Sequence, residues 1–353
     1  MNILFLNSAK RGWGGNEKSI QIAASALSGQ HTVILGYRSE EIGRNFDPPK
    51  YRLPFLFEGD LYTIASLVRI VKKHRIDVIV STKRKDYAIG GVVARMTGAK
   101  NIIWLGANRK LKNTTLNRLV YGLLASGIIV NARRIQKTLL ETPFMQKQNI
   151  RVIYNGIDIQ KLDLAAASAS RHSGIFTITA MGRIDQNKGF DFLMKSYARF
   201  LAMEPGIEAK LVIIGDGPSR ESLEVLARQL DVGETIRFTG FLQNPYPELC
   251  QSDVYASTSI SEGLSIALLE AMYLSNAPVS TFAGGGVTEI ITHGMNGYLL
   301  EHGDESALSA ALLELYRNKP LRRDIAAKAK QTIAERYSVT RMAAEISGFC
   351  AEV

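Results

Sequence analysis

The sequence predicts an α/β protein made of two Rossmann-like domains, each a doubly wound parallel sheet, facing one another across a cleft. Three observations predict it. The chain has 353 residues and 46% apolar content, more than one compact core usually holds. Short apolar runs alternate with helical patterns along the whole length, as parallel sheets covered by helices require. The small-residue stretch Ala165-Ala166-Ala167-Ser168-Ala169-Ser170, before His172-Ser173-Gly174, separates two rounds of that alternation and reads as a linker.

In the first round, strands are expected at residues 3–7, 32–36, 78–81, 102–105, 128–130 and 151–153, and helices at 16–28, 61–74, 87–97 and 114–126. In the second, strands are expected at 176–181, 210–215, 235–239, 254–257, 278–281 and 297–299. The helices there are expected at 191–200, 220–230, 265–274, 288–292 and 306–317. The opening run Met1-Asn2-Ile3-Leu4-Phe5-Leu6-Asn7 is too short for a signal peptide and reads as a first buried strand. The longest charge-free apolar candidate, residues 119–132, is too short to cross a bilayer and breaks at Ser126-Gly127. Ligands of such sheets bind beyond the carboxyl ends of the strands, so motifs at those ends carry the most weight.

The net charge of +10 is uneven. Residues 1–170 hold 26 Lys+Arg against 11 Asp+Glu, and residues 171–353 hold 17 against 22. Four cationic clusters lie in the first half: Arg69-Lys72-Lys73-Arg75, Lys83-Arg84-Lys85, Arg109-Lys110-Lys112-Arg118 and Arg133-Arg134-Lys137. They suggest an anionic partner, whether a phosphorylated acceptor, a membrane surface or nucleic acid. Near an anionic bilayer each cation is worth about 1 kcal/mol, so reversible peripheral attachment is expected. Nucleic acid is disfavoured because no interleaved aromatics and no recognition motif accompany the charge. Cys250 and Cys350 form neither a metal pattern nor a disulfide framework, which points to a reducing, cytoplasmic setting. With no Asp-x-Asp, His-x-x-x-His or Cys-x-x-Cys, no protein-held metal is expected. No Gly-x-x-x-x-Gly-Lys-Ser/Thr loop or Gly-x-Ser-x-Gly is present either.

Glu262 and Glu270 stand eight residues apart in Ser-Glu-Gly-Leu-Ser-Ile-Ala-Leu-Leu-Glu-Ala-Met, with Gly284-Gly285-Gly286 close behind. Taken singly, one reads as an exposed cap and the other as a solvated helix residue. Together they bracket a helix N terminus that favours a phosphate, and eight helical residues span about 12 Å, the reach of a nucleotide-sugar from sugar to ribose. Gly182-Arg183-Ile184-Asp185-Gln186-Asn187-Lys188-Gly189 follows a strand and offers an Arg fork and a Lys point charge suited to a diphosphate. Gly12-Trp13-Gly14-Gly15-Asn16-Glu17 permits close backbone approach but lacks the Gly-x-Gly-x-x-Gly spacing of a dinucleotide site, as does Gly215-Asp216-Gly217-Pro218.

In order, these pieces resemble the family 4 retaining glycosyltransferases of the GT-B fold. The resemblance rests on Gly14-Gly15-x-Glu17, Asn155-Gly156-Ile157-Asp158, Gly182-Arg183 with Lys188-Gly189, and Gly215-Asp216-Gly217-Pro218. It extends through Phe238-Thr239-Gly240, Ser261-Glu262-Gly263 with Leu269-Glu270-Ala271-Met272, Pro278-Val279, and Gly284-Gly285 with Glu289. It implies domains at 1–164 and 174–335, with 336–353 a helix crossing back to the first. It implies a nucleotide-diphosphate sugar donor, expected to be a UDP-sugar, with no further cofactor. With the basic first half, the acceptor expected is an anionic or lipid-linked glycan, such as lipopolysaccharide core, at the inner face of a membrane.

Under the resemblance, Arg183 and Lys188 hold the diphosphate, Glu262 faces the transferred sugar and Glu270 binds the ribose hydroxyls. Backbone amides at Gly263, Leu264 and Ser265 meet phosphate or sugar, and Gly14 and Gly15 approach the diphosphate. Two cations and a helix N terminus replace the metal of other sugar transferases. The chain departs from the family after residues 102–105, where Gly106-Ala107-Asn108-Arg109 supplies no base. Asp86 is a substitute candidate, which Lys83, Arg84 and Lys85 are expected to keep ionised, and equally a cap of the helix at 87–97. The missing base leaves a second reading open, a non-catalytic nucleotide- or glycan-binding module.

Overall fold

The computed structural model describes residues 1–10, 14–169 and 174–353. They form two units, Met1–Gly156 with Val339–Val353, and Ile157–Ser338. The first unit holds a seven-stranded sheet of β1 (Asn2–Asn7), β2 (Thr32–Tyr37), β3 (Lys50–Arg52), β4 (Val78–Ser81), β5 (Lys100–Leu105), β6 (Gly127–Val130) and β7 (Ile150–Val152). Its order is β3-β2-β1-β4-β5-β6-β7, and every pairing is parallel. The second holds β8 (Phe176–Met181), β9 (Ala209–Ile214), β10 (Ile236–Gly240), β11 (Val254–Ser257), β12 (Ala277–Thr281) and β13 (Tyr298–Leu300). Its order is β10-β9-β8-β11-β12-β13, again all parallel. Each sheet winds outward from its first strand, then reverses to that strand's other side, so the switch points lie at β1/β4 and β8/β11.

Strand alternation sorts the first core into two faces. Ile3, Phe5, Val78, Val80 and Trp104 point to the helices Gly15–Leu27 and Val339–Glu352. Leu4, Leu6 and Ile79 point the other way, under the helices Leu61–His74 and Arg84–Thr97. On that second face, Ile103, Leu105, Ile128 and Val130 are covered by Val120, Tyr121, Ile135 and Leu139. The second unit packs the helix Phe190–Ala202 through Phe190, Leu193, Met194, Tyr197 and Phe200 on Ile178, Ala180 and Leu211.

Several expected boundaries are corrected. The Ala-rich stretch read as a linker is the last turn of a helix, Ile159–Ser168, that belongs to the second unit. Alanine is the strongest helix former, and the Asp158 side chain caps the segment by accepting from the Lys161 N–H at 3.0 Å. The first domain therefore ends at Gly156 rather than residue 164, and residues 170–173 of the expected linker lie outside the described residues. Tyr337 and Ser338 stay with the second unit, where Ile157 N–H donates to the Tyr337 carbonyl. The helix expected at 114–126 begins as Thr115–Asn117 and continues as π-helical turns over Arg118–Leu123. Residues read only as a cationic cluster form the helix Arg133–Leu140, with Ile135 and Leu139 buried four apart.

The helix Val339–Glu352 buries Met342, Ile346, Phe349 and Cys350 in the first core. A side-chain carbon added at Gly127 would stand 2.7 Å from the Phe349 ring, so β6 runs directly beneath it. Phe349→Ala is expected to destabilise the first unit by about 3–5 kcal/mol, seen as a lower denaturation midpoint for that unit alone. An unchanged midpoint would show that the helix is dispensable.

Candidate active site

The second switch point is bordered by the loop after β8, from Gly182 to Gly189, and the loop after β11, from Thr258 to Ser265. The two loops are joined by hydrogen bonds. Ile260 N–H donates to the Asn187 carbonyl at 2.8 Å, the Asn187 side-chain amide to the Ser261 carbonyl at 2.8 Å, and Thr258 Oγ1 to the Lys188 carbonyl at 3.0 Å. They set Lys188 Nζ 2.9 Å from Glu262 Oε1, while Ser259 Oγ donates to Glu262 Oε2 at 2.9 Å. Both charged side chains are largely buried, so salt screens the pair weakly and each charge-assisted bond contributes about 1.5–3 kcal/mol. Arg183 starts from the same loop but is exposed, and approaches Asp185 no nearer than 3.9 Å.

Backbone contact fixes this edge. Glu262 N–H donates to the Ala283 carbonyl at 3.0 Å, and Gly286 N–H to the Gly263 carbonyl at 2.7 Å. A Cβ on Gly285 would lie 1.6 Å from the Glu262 carbonyl oxygen and 2.4 Å from that of Gly263, so only glycine fits. After β9, Gly215 has φ 138° and a Cβ there would lie 1.9 Å from the Gly182 carbonyl oxygen. Gly263 and buried Leu264 then turn the chain into Ser265, whose Oγ accepts from the Leu268 N–H at 3.4 Å and caps the helix Ile266–Tyr273. The positive end of that helix opens next to the Lys188–Glu262 pair.

Glu270 lies one turn further along and is only 2% exposed, which removes the reading of it as a solvated helix residue. Tyr246 donates its hydroxyl to Glu270 Oε1 at 3.0 Å. Burial, and then the Glu270 charge, push the Tyr246 phenol far above its ordinary value, so it remains a donor at physiological pH. Tyr246 is the residue that sequence reasoning missed. It lies 24 positions upstream on another helix, Tyr246–Cys250, and carries no local signal.

The remaining candidates belong to the first unit. Gly14 is the N-cap of the helix Gly15–Leu27, whose Glu17 is buried and ion-paired with Lys83; Gly12 and Trp13 lie outside the described residues. Asp86 is fully buried at the β1/β4 switch point. It accepts from the N–H groups of Ser8 (3.1 Å), Thr82 (3.3 Å) and Lys83 (2.9 Å), and so braces the first turn of the helix Arg84–Thr97. The expectation that the flanking cations act on it is corrected, while a carboxyl raised to about 6 is still mostly ionised at neutral pH. Lys83 turns to Glu17, Arg84 to Glu58, and Lys85 to the carbonyls of Phe55 and Leu56. Burial dominates and pushes the Asp86 carboxyl up to about 6, against the lowering effect of its hydrogen bonds. At Gly106 a Cβ would lie 2.7 Å from Asn16 Oδ1, so Asn16 fills the space that a base there would need.

The glycosyl transferases group 1 model matches residues 167–332, and the glycosyltransferase family 4 model matches residues 13–161. The chain is 27% identical, over 94% of each sequence, to the N-acetylgalactosamine-N,N'-diacetylbacillosaminyl-diphospho-undecaprenol 4-alpha-N-acetylgalactosaminyltransferase of Campylobacter jejuni. It is 29% identical to the lipopolysaccharide core biosynthesis glycosyltransferase LpsE of Rhizobium meliloti, over 54% of this chain and 55% of that one. Among solved structures, Anabaena HepE in complex with UDP superimposes over the full length of both chains with a TM-score of 0.83 at 19% identity.

Two outcomes follow from the geometry. Gly285→Ala is expected to cost the second unit about 1–3 kcal/mol and to displace Glu262, so thermal unfolding and turnover fall together. Asp86 has a folded-state pKa raised above its unfolded one. Its contribution to stability is present below about pH 4 and is lost as pH rises through about 6, a change of about 3 kcal/mol. Denaturation of Asp86→Asn and the parent across pH 4–7 should therefore show the parent losing stability relative to the variant. Parallel pH profiles would refute the raised pKa.

Proposed function

The chain belongs to the family 4 glycosyltransferases of the GT-B fold, and within that family we propose a retaining transferase. It moves a hexose from a nucleotide-diphosphate sugar, a UDP-sugar in the first instance, to a hydroxyl of an anionic or lipid-linked glycan acceptor such as lipopolysaccharide core. The observation that carries this reading is the Lys188–Glu262 pair at the switch point, beside a capped helix that holds Glu270 buried. The UDP bound to HepE supports the donor, and the lipid-diphosphate named for the Campylobacter enzyme supports the acceptor class.

In this reading the donor diphosphate lies against Lys188, Arg183 and the amides of Gly263, Leu264 and Ser265. Charge-assisted donors of this kind favour the anion as the bond to the leaving group breaks, without a metal. Glu262, anchored by Lys188 and Ser259, faces the sugar, and Glu270, held by Tyr246, accepts from the ribose hydroxyls. Gly14 and Gly15 are proposed as further diphosphate contacts on residue type alone. The acceptor oxygen attacks the anomeric carbon from the side the phosphate leaves. The old C–O bond breaks through an oxocarbenium-like state, the new one forms, and the acceptor proton passes to the departing phosphate oxygen.

No protein base is needed on that route, which accords with buried Asp86 and the side-chain-free Gly106. Those same two features favour the second reading, a binding module without turnover. Labelled donor separates the two, since only a transferase releases or transfers the sugar.

A thermal-shift screen of nucleoside diphosphates and their sugar conjugates, without added metal, tests the donor. A ligand at a hundred times its Kd should stabilise by about 2.7 kcal/mol, and Glu270→Ala should remove the shift. Lys188→Ala and Arg183→Ala are expected to lower kcat by about a hundredfold or more, with a smaller change in donor KM. Near-parent turnover in both would refute the diphosphate assignment.

A further inference from the structure

The first unit carries exposed apolar side chains outside the site described above. Leu56, Phe57, Leu61 and Tyr62 stand outward, with Leu61 78% and Tyr62 69% exposed. The loop that displays them is built, not slack. Asp60 accepts from the N–H groups of Leu56 (3.0 Å) and Thr63 (3.1 Å), Thr63 Oγ1 accepts from Phe55 N–H at 3.1 Å, and the Phe55 ring is fully buried. Lys85 Nζ ties the loop down through the Phe55 and Leu56 carbonyls.

The helix Arg84–Thr97 joins this loop to a second apolar stripe. At its start Arg84 pairs with Glu58 of the loop, and along its side the Tyr87 ring packs edge-on against Tyr121, 5.7 Å between centroids. The segment that bears Tyr121 turns Val120 and Tyr121 inward and leaves Leu116, Leu119 and Leu123 exposed, three and four residues apart on one side. Arg95 at the far end of the helix donates to the Leu123 carbonyl at 2.6 Å.

The segment that carries these leucines is charged with one sign, and the nearest carboxylates are Glu141 at its border, paired with Lys110 at 3.0 Å, and Glu58 of the loop, paired with Arg84. Between Asp86 and Glu141 the chain contains nine Lys+Arg and neither Asp nor Glu. Arg109, Lys110, Lys112 and Arg118 of that stretch are exposed beside the stripe. Outward leucines and aromatics flanked by exposed cations match an interface of acyl chains and anionic headgroups better than they match water. Lys110 already has Glu141, but an uncharged protein surface would give Arg109, Lys112 and Arg118 no anionic partner, whereas anionic headgroups supply one.

We propose that this face of the first unit, from the Leu56–Tyr62 loop to the Leu116–Leu123 stripe, is a docking surface for an anionic phospholipid bilayer. It rests on the reading that the acceptor is membrane-borne, and it names the surface that presents the enzyme to that acceptor. The apolar side chains enter the headgroup boundary and the cations lie among the headgroups, each worth about a fivefold gain in binding.

The test is flotation of the full chain with vesicles of phosphatidylcholine alone and with about one third phosphatidylglycerol, at low and high salt. Binding is expected to the anionic vesicles only and to weaken with salt. Phe57→Ser with Leu61→Ser should weaken it about tenfold, and Lys112→Glu with Arg118→Glu by at least as much. The two variants act on different chemistry, so misfolding of one leaves the other decisive. No binding by the parent, or binding at the parent's level by both variants, overturns the proposal, as does a parent dimer that these substitutions dissolve. Transfer to a water-soluble acceptor glycan, measured without vesicles, separates this inference from the proposed function. Turnover without vesicle binding sinks the surface alone, and vesicle binding without turnover sinks the function alone.

Discussion

Backbone against backbone is the contact on which the second unit's site depends. The loops after β8, β9, β11 and β12 are pressed so closely that Gly215 and Gly285 have carbonyl oxygens where a side chain would start. Such approach is possible only with glycine, and it removes the freedom that loops normally keep. The Lys188–Glu262 pair inherits that rigidity. The cation and the carboxylate come from loops 74 residues apart, and three hydrogen bonds between those loops set the distance between them. Preorganised charge of this kind needs no rearrangement when a leaving group becomes negative.

The two units use the same sheet order and place different chemistry at the same topological point. At β8/β11 the switch point carries a partly exposed ion pair and an open helix end. At β1/β4 it carries Asp86, fully buried and spent on backbone amides. The difference is solvation. A carboxylate that shares a Lys and a Ser at the partly open mouth of two loops keeps an accessible edge, whereas one enclosed by its own helix start becomes a brace with a raised pKa.

Much of this was legible in the sequence. Buried parallel strands are continuous apolar runs, so β4, β8 and β11 were readable to the residue, and the amphipathic helix Leu61–His74 likewise. Elements without such a period were not. β3 is a three-residue edge strand, and the helix Lys319–Arg336 buries Ile325, Ala326, Ala329 and Ile333, a stripe half made of alanine. The alanines of the Ile159–Ser168 helix looked like a linker because small residues serve both purposes, and only the Asp158 cap and the packing of Leu162 decide between them.

The sequence by itself determined the alternation of elements, the division of charge between the halves, and the residue types at the carboxyl ends of the second sheet. These are properties of spacing and composition, and spacing is enough to place Glu262 before a helix and Glu270 on it. Tertiary structure alone decided which groups meet. It joined Lys188 to Glu262 and Tyr246 to Glu270, and turned the cations beside Asp86 away from it. Contacts between distant segments depend on the register and packing of whole sheets, and no local pattern of residues records them.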